Sequence, residues 1–161
     1  ENLAAQGIDF AINVIGEQFR DQPEVFDRMK KALAGRIRRW GYQPTREDYL
    51  AALRESDIVV STANHEFFGI GALEAIAAGC RPLLPDRLAY PELLGRAGCR
   101  PAAEYLYDGT VRDLTARLER LLAACAGAKQ RGESFFAPGA GIETRFWPRY
   151  APALDAELRF G

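Results

Sequence analysis

The chain has 161 residues, which is enough for one domain with a sizeable buried core. Its hydrophobic content of 48% and charged content of 27% are typical of a globular protein and exclude a disordered one. The formal net charge of −1 argues against attraction to nucleic acid or anionic membranes through net charge. A local basic cluster is interpreted as a solvated surface, with an RNA or phosphate contact as the alternative: Lys30, Lys31, Arg36, Arg38 and Arg39.

The cysteines and the apolar runs indicate the compartment. Cys80, Cys99 and Cys125 are widely spaced, odd in number and without a CxxC pair, and the chain has a single histidine. This pattern suits a reducing compartment and argues against a structural zinc site. No apolar run approaches the roughly 20 residues that span a bilayer, and no signal peptide is recognisable. We therefore expect a cytoplasmic protein with no membrane-spanning segment.

Hydrophobic periodicity and capping residues predict alternating helices and strands. The first residues resemble the last turns of a helix that ends at Gly7, so the chain is expected to begin inside a larger fold. Strands are predicted at residues 8–16, 36–41, 57–62 and 81–85, and helices at residues 23–35, 45–56, 70–79 and 110–125. Thr45 and Asp48 are arranged as a capping box at the start of the second of these helices. The third strand is almost wholly apolar, so we expect it to be buried on both faces of a parallel sheet.

This alternation predicts an α/β fold: a Rossmann-like parallel sheet with helices on both faces. Ligands of such sheets bind at the carboxyl ends of the strands, where loops enter helices. Residues 1–125 are expected to form this ligand-binding unit, and residues 126–141 a Gly-rich loop. Residues 142–161 are expected to form a C-terminal helix that Pro148 and Pro152 bend or interrupt.

The loop after the third predicted strand, STANHEFFGIG, holds more polar residues and glycines than a turn requires. Backbone N–H groups from Phe68 to Gly71 are expected to be free at the helix start and to form an anion site. Gly69 and Gly71 would let a ligand approach the backbone closely. Glu66 and Glu74 would repel a bare phosphate, so their expected partners are hydroxyl groups. Phosphate-binding N–H groups beside carboxylates that bind hydroxyls indicate a site for a nucleotide sugar.

Simpler interpretations of the same residues stay open. Glu74 alternatively complements the helix dipole, Phe67 and Phe68 alternatively belong to the core, and His65 alternatively has a structural role. A dinucleotide-binding fingerprint is disfavoured, because its third small residue would fall on Glu74. Several residues also separate the strand from the first glycine of the loop, whereas that fingerprint places its glycines directly after the strand.

Glu66 and Glu74 resemble the Glu-x7-Glu motif of retaining GT-B glycosyltransferases of the family 4 group. The segments GEQF, WGYQPTREDYLAALRESDIVVSTANHEFFGIGALEAIAAGCRPLLPDRLAYPEL, EYLY and FWPRYAPALDAEL resemble more closely the tRNA-queuosine alpha-mannosyltransferase family and its bacterial relatives. The resemblance covers most of the chain. It implies the C-terminal donor-binding half of a GT-B enzyme, with residues 1–125 forming part of the nucleotide-sugar domain.

The same resemblance implies a reaction and roles for residues. The donor would be GDP-mannose and the acceptor the queuosine of a tRNA, with retention at the anomeric carbon and without a cofactor or a metal. Glu66 would contact the transferred sugar with His65 beside it, and Glu74 would bind the ribose hydroxyls. Gly16 and Glu17 would face the same cleft. The backbone that meets the sugar and the diphosphate would comprise Phe67, Phe68, Gly69, Ile70 and Gly71.

Compared with this family, the chain is expected to lack the acceptor-binding domain, the first strand and most of the first helix of the donor domain. In relatives the missing piece carries an Arg and a Lys that neutralise the diphosphate, so we expect the isolated chain to be inactive. The tRNA would be contacted mainly by the missing N-terminal domain. Two rival interpretations remain, a non-catalytic sugar-nucleotide-binding module and a sugar-nucleotide epimerase of the same fold.

Overall fold

The computed structural model of the chain describes residues 2–16 and 24–137, and strands and helices alternate along these ranges. The strands are β1 (Ile12–Ile15), β2 (Ile37–Gly41), β3 (Ile58–Val60), β4 (Arg81–Pro85) and β5 (Leu106–Tyr107). The helices are α1 (Asn2–Ala5), α2 (Glu24–Ala32), α3 (Arg46–Arg54), α4 (Ile70–Ala77), α5 (Tyr90–Arg96) and α6 (Val111–Gln130). The predicted alternation is therefore confirmed over the described residues.

All the strand pairs in the described residues are parallel, as the alternation predicts. β1 pairs with β2, and β4 lies between β3 and β5 in a second sheet. A side chain connects β1 to the end of α3, which leads into β3: the amide of Asn13 donates to the Ser56 hydroxyl (3.1 Å) and to the Ala52 carbonyl (3.5 Å). Parallel strands flanked by helices confirm the Rossmann-like α/β prediction.

The core lies around β4 and the helices that cover it. Leu83 and Leu84 are fully buried, because β4 has a neighbouring strand on each side. Ile76 of α4 and Leu94 of α5 pack into the same cluster as Leu84. The expectation that β3 is buried on both faces is wrong, since Val60 is 39% exposed. The physical reason is that β3 forms an edge of its three-stranded sheet.

Two helix boundaries test the capping arguments. Thr45 begins α3 as expected: its hydroxyl accepts from the Asp48 N–H (3.0 Å) and donates to the Asp48 carboxylate (2.7 Å). α6, however, continues to Gln130, so residues 126–130 are helical and not part of the predicted loop. The burial of Ala128 and the ion pair of Lys129 with Asp57 (2.6 Å) stabilise this extra turn despite its glycine.

Other expectations on the chain's organisation have mixed outcomes. α5 and β5 were not predicted from the sequence. The end of the predicted loop, the predicted C-terminal helix and Glu17 lie outside the described residues, and the division into 1–125, 126–141 and 142–161 stays a prediction. None of the helices in the described part of the chain combines the length and apolarity that crossing a membrane requires.

Candidate functional site

The loop between β3 and α4 is anchored at its start by two buried tyrosines. The hydroxyls of Ser61 and Tyr90 are 2.6 Å apart, and the Tyr107 hydroxyl donates to the Ser61 carbonyl (3.0 Å). The Ser61 hydroxyl also accepts from the backbone N–H of Ala63 (3.2 Å). Both tyrosines are only 2% exposed, so these contacts fix where the loop leaves the carboxyl end of β3. The sequence motifs LAYPEL and EYLY contain them, although the sequence alone did not reveal this role.

Glu66 folds back onto the start of α4. One carboxylate oxygen accepts from the backbone N–H of Gly69 (2.9 Å) and of Phe68 (3.1 Å). These hydrogen bonds, that of Gly69 first, lower the pKa of Glu66, so the side chain is ionised at neutral pH. The expectation that the N–H groups of Phe68 and Gly69 are free is therefore wrong. The N–H groups of Ile70 and Gly71 have no hydrogen-bond partner among the described residues and stay available to a ligand.

The two glycines of the loop have different structural reasons. Gly69 has a left-handed backbone (φ +69°), and a Cβ there would lie 2.6 Å from Leu93 Cδ1 and 3.4 Å from Tyr90 Cε1. It is therefore required by the close packing of the loop on α5, and not by a ligand alone. A Cβ on Gly71 would meet nothing within 4 Å, so the backbone at the helix start is open to approach.

The side chains around this turn project into solvent. Phe67 is 85% exposed and Phe68 is 76% exposed, so the interpretation of either as a core residue is wrong. His65 is exposed and makes no hydrogen bond within the described ranges. Ile70 is half exposed. The turn thus presents two aromatic rings and an imidazole to solvent, next in sequence to Glu66. These three side chains make no hydrogen bond with the described residues.

Glu74 is held by two side chains from α3. One carboxylate oxygen accepts from Arg46 Nη2 (2.8 Å), and the other accepts from the Tyr49 hydroxyl (2.8 Å). Burial and then the hydrogen bond to Glu74 raise the pKa of Tyr49 to about 12. Each carboxylate oxygen has two lone pairs, so Glu74 can still accept hydrogen bonds from ligand hydroxyls. Sequence reasoning missed Arg46 and Tyr49, whose only signal was a position at the start of the helix after β2.

Removal of the Tyr49 hydroxyl should destabilise the protein without creating a large cavity, because phenylalanine keeps the aromatic ring. We expect Tyr49→Phe to lower the free energy of unfolding at pH 7 by about 1.5–3 kcal/mol, because the lost hydrogen bond has a charged acceptor. Tyr42→Phe is the matched control, since Tyr42 is 67% exposed and has no hydrogen bond in the described structure. Urea unfolding of both variants measures the difference. Equal stability of the two variants would contradict the role assigned to Tyr49.

The pH dependence of that difference gives a second check. The pKa of Tyr49 is raised from 10.0 to about 12 in the folded protein. A raised folded-state pKa contributes stability that is present below pH 10 and is lost as the pH rises towards 12. We therefore expect the stability difference between the wild type and Tyr49→Phe to shrink over this range.

The remaining predicted site residues are less directly connected to the loop. Gly16 directly follows β1 and has φ +152°, and its N–H donates to the Gly41 carbonyl at the end of β2 (3.3 Å). No hydrogen bond joins Gly16 to the loop that contains Glu66, and Glu17 lies outside the described residues. Within residues 2–16 and 24–137, no three His, Cys, Asp or Glu side chains are grouped to hold a metal. The metal-free reaction stays a prediction.

Comparison with known proteins shows which family shares this sequence. Residues 1–131 match the family described as "Glycosyl transferases group 1". A tRNA-queuosine alpha-mannosyltransferase of Drosophila melanogaster is 41% identical over 91 residues, which are 56% of this chain and 24% of that protein. The matched segment thus spans about a quarter of that relative's length. No solved structure matches the chain significantly. Because the family match covers most of its residues, the chain belongs to the group 1 glycosyl transferases, and its parallel strands flanked by helices are consistent with a Rossmann-like GT-B half.

Proposed function

We propose that the chain is the donor-binding part of a retaining glycosyltransferase that transfers mannose from GDP-mannose to queuosine in tRNA. The observation that carries this proposal is the pair of carboxylates on either side of the start of α4. Glu66 is oriented by backbone N–H groups, and Glu74 by two side chains of α3. The similarity to a tRNA-queuosine alpha-mannosyltransferase supports the sugar and the acceptor, whereas the guanine nucleotide rests on the family resemblance.

Donor binding would use both the Glu74 carboxylate and the backbone N–H groups at the start of α4. Glu74 accepts hydrogen bonds from the vicinal hydroxyls of the ribose. These hydrogen bonds are strong because the acceptor is a charged carboxylate. The free N–H groups of Ile70 and Gly71 donate to the diphosphate, at the positive end of the helix dipole. The absence of a side chain at Gly71 leaves room for the phosphate oxygens. Phe67 and Phe68, whose rings are exposed, would contact the transferred sugar.

The transfer step requires no protein nucleophile. The bond between the anomeric carbon and the diphosphate oxygen breaks, and the acceptor hydroxyl oxygen bonds to the same face of that carbon. The acceptor proton passes to the departing diphosphate, so charge balances without a side-chain base. Glu66, ionised because of its low pKa, stabilises the positive charge that develops on the sugar. His65, exposed on the same turn, belongs to this reacting centre.

The function is tested with the full-length protein, radiolabelled GDP-mannose and tRNA that contains queuosine. We expect mannose on the tRNA, with no transfer to the same tRNA lacking queuosine. UDP-glucose replaces GDP-mannose in a matched reaction, and we expect it to be used poorly. Nuclear magnetic resonance of the product nucleoside should give the alpha configuration. Release of free sugar without transfer to tRNA, or epimerised nucleotide sugar as the product, would contradict the proposal.

A further inference from the structure

A cavity lies next to the loop between β3 and α4, on the side of β5, and no residue of α3 lines it. Its volume is about 200 Å³, and it opens between the carboxyl ends of three strands and the start of α6. A water molecule occupies about 30 Å³ of liquid, so the cavity has room for a phosphate and part of the group it esterifies. Its polar lining comprises Thr62, Asn64, Arg87, Tyr107 and Thr110.

Arg87 is the one cation among the residues that line this cavity, and it lacks an anionic partner in the described structure. It is only partly exposed, its Nε is enclosed without a hydrogen-bond partner, and it forms no ion pair within the described ranges. By contrast, Arg39, Arg46 and Arg117 each have a carboxylate oxygen within 2.9 Å. Partial burial of an unpaired guanidinium is unfavourable, which indicates that an anion completes this site.

The acidic side chains of the neighbouring turn are engaged elsewhere. Asp108 accepts from both the N–H and the hydroxyl of Thr110 (2.8 and 2.6 Å). Asp113 accepts from Arg117 Nε (2.9 Å) and from the Asp108 N–H (3.0 Å). Neither carboxylate bonds to Arg87, although both lie on the turn or helix next to the cavity. The guanidinium therefore remains available to an external oxyanion.

Arg87 and two further donors converge on the cavity. The guanidinium lies against the backbone at Gly109, where a Cβ would be 3.7 Å from Nη1. The next residue, Leu88, has a left-handed backbone (φ +59°), which residues other than glycine rarely adopt. Thr62 and Asn64 supply a hydroxyl and an amide that have no hydrogen-bond partner among the described residues. These donors suit the tetrahedral oxygens of a phosphate ester.

We propose that this cavity is a phosphate-binding subsite in which Arg87 holds a backbone phosphodiester of the acceptor polynucleotide. The alternative source of the same chemistry is the diphosphate of the nucleotide sugar. The acceptor is favoured because Glu74, which would bind the ribose, is held by residues of α3, whereas neither Glu74 nor any residue of α3 lines this cavity. Assignment to the acceptor rests on the proposed function, whereas the phosphate site itself does not.

The site is tested first without activity, using inorganic phosphate as the probe on the full-length protein. We expect phosphate to raise the melting temperature more than chloride at equal ionic strength, and Arg87→Gln to remove this difference. Arg54→Gln is the matched control, because Arg54 is exposed on α3 and has no ion pair in the described structure. Arg87→Lys keeps the positive charge but loses the planar guanidinium, which donates two parallel hydrogen bonds. This variant should retain part of the stabilisation by phosphate. An equal phosphate response in the wild type and Arg87→Gln would overturn the subsite.

Steady-state kinetics then separate the two sources of phosphate. We expect Arg87→Gln to raise KM for the tRNA about ten- to a hundredfold and to leave KM for GDP-mannose unchanged, since one charge-assisted contact is lost. A rise in KM for GDP-mannose alone would overturn the assignment to the acceptor. If the wild type transfers no mannose yet binds phosphate through Arg87, the proposed function fails and the phosphate subsite stands.

Discussion

Replacement of Gly69 by alanine is expected to be among the most destabilising single changes in the loop after β3. The left-handed backbone of Gly69 costs an L-residue about 1–2 kcal/mol. The new methyl group would also lie 2.6 Å from Leu93 Cδ1, and overpacking a filled site costs about 1–3 kcal/mol. We therefore expect the free energy of unfolding to fall by about 2–5 kcal/mol. Urea unfolding of the variant and the wild type measures this change, provided that the two proteins have equal m-values.

Gly71→Ala is the matched control for that experiment. Gly71 lies in the first turn of α4, and a Cβ there meets nothing within 4 Å. Alanine is favoured over glycine in a helix by about 1 kcal/mol, so stability should stay equal or rise slightly. The same substitution two residues away therefore has the opposite expected sign. If both variants lost the same stability, the packing argument for Gly69 would be wrong.

Exchange of Glu66 for glutamine should chiefly lower kcat in the full-length enzyme. The amide keeps an oxygen that can accept from the Phe68 and Gly69 N–H groups, so the turn should stay folded. It removes the negative charge that the proposed transition state needs more than the bound substrate does. Loss of one electrostatic contact of this kind lowers kcat by about a hundredfold or more. Initial rates at saturating GDP-mannose and tRNA measure the effect.

Glu74→Gln should instead raise KM for GDP-mannose by about ten- to a hundredfold and spare kcat. The ribose does not change during transfer, so its contact with Glu74 is equal in the ground state and the transition state. Glu119→Gln is a matched carboxylate-to-amide control, because Glu119 is exposed on α6 without a bond in the described structure. Unchanged kcat in Glu66→Gln, or a change in kcat alone in Glu74→Gln, would refute this division of roles.

The sequence by itself determined the α/β alternation, the capped start of α3 and the position of the candidate site. These features depend on local periodicity and on residues only three or four apart, such as Thr45 and Asp48. The motif from Glu66 to Glu74 also sufficed to indicate the glycosyltransferase family, because its spacing lies within one loop and helix. Short elements were not predictable: β5 has two residues and α5 seven, too few to display a hydrophobic period.

Only the tertiary structure decided which side chains complete the site. Tyr49 and Arg46 reach Glu74 across 25 and 28 positions of the chain, and Tyr107 reaches Ser61 across 46. Such pairs arise because parallel strands bring the carboxyl ends of distant segments to one edge of the sheet. The hydrogen bonds from the Phe68 and Gly69 N–H groups to Glu66 could not be predicted from the sequence for another reason. They form at a turn where Gly69 has a left-handed backbone and packs closely on Leu93, a residue 24 positions away, and no spacing in the sequence specifies this contact.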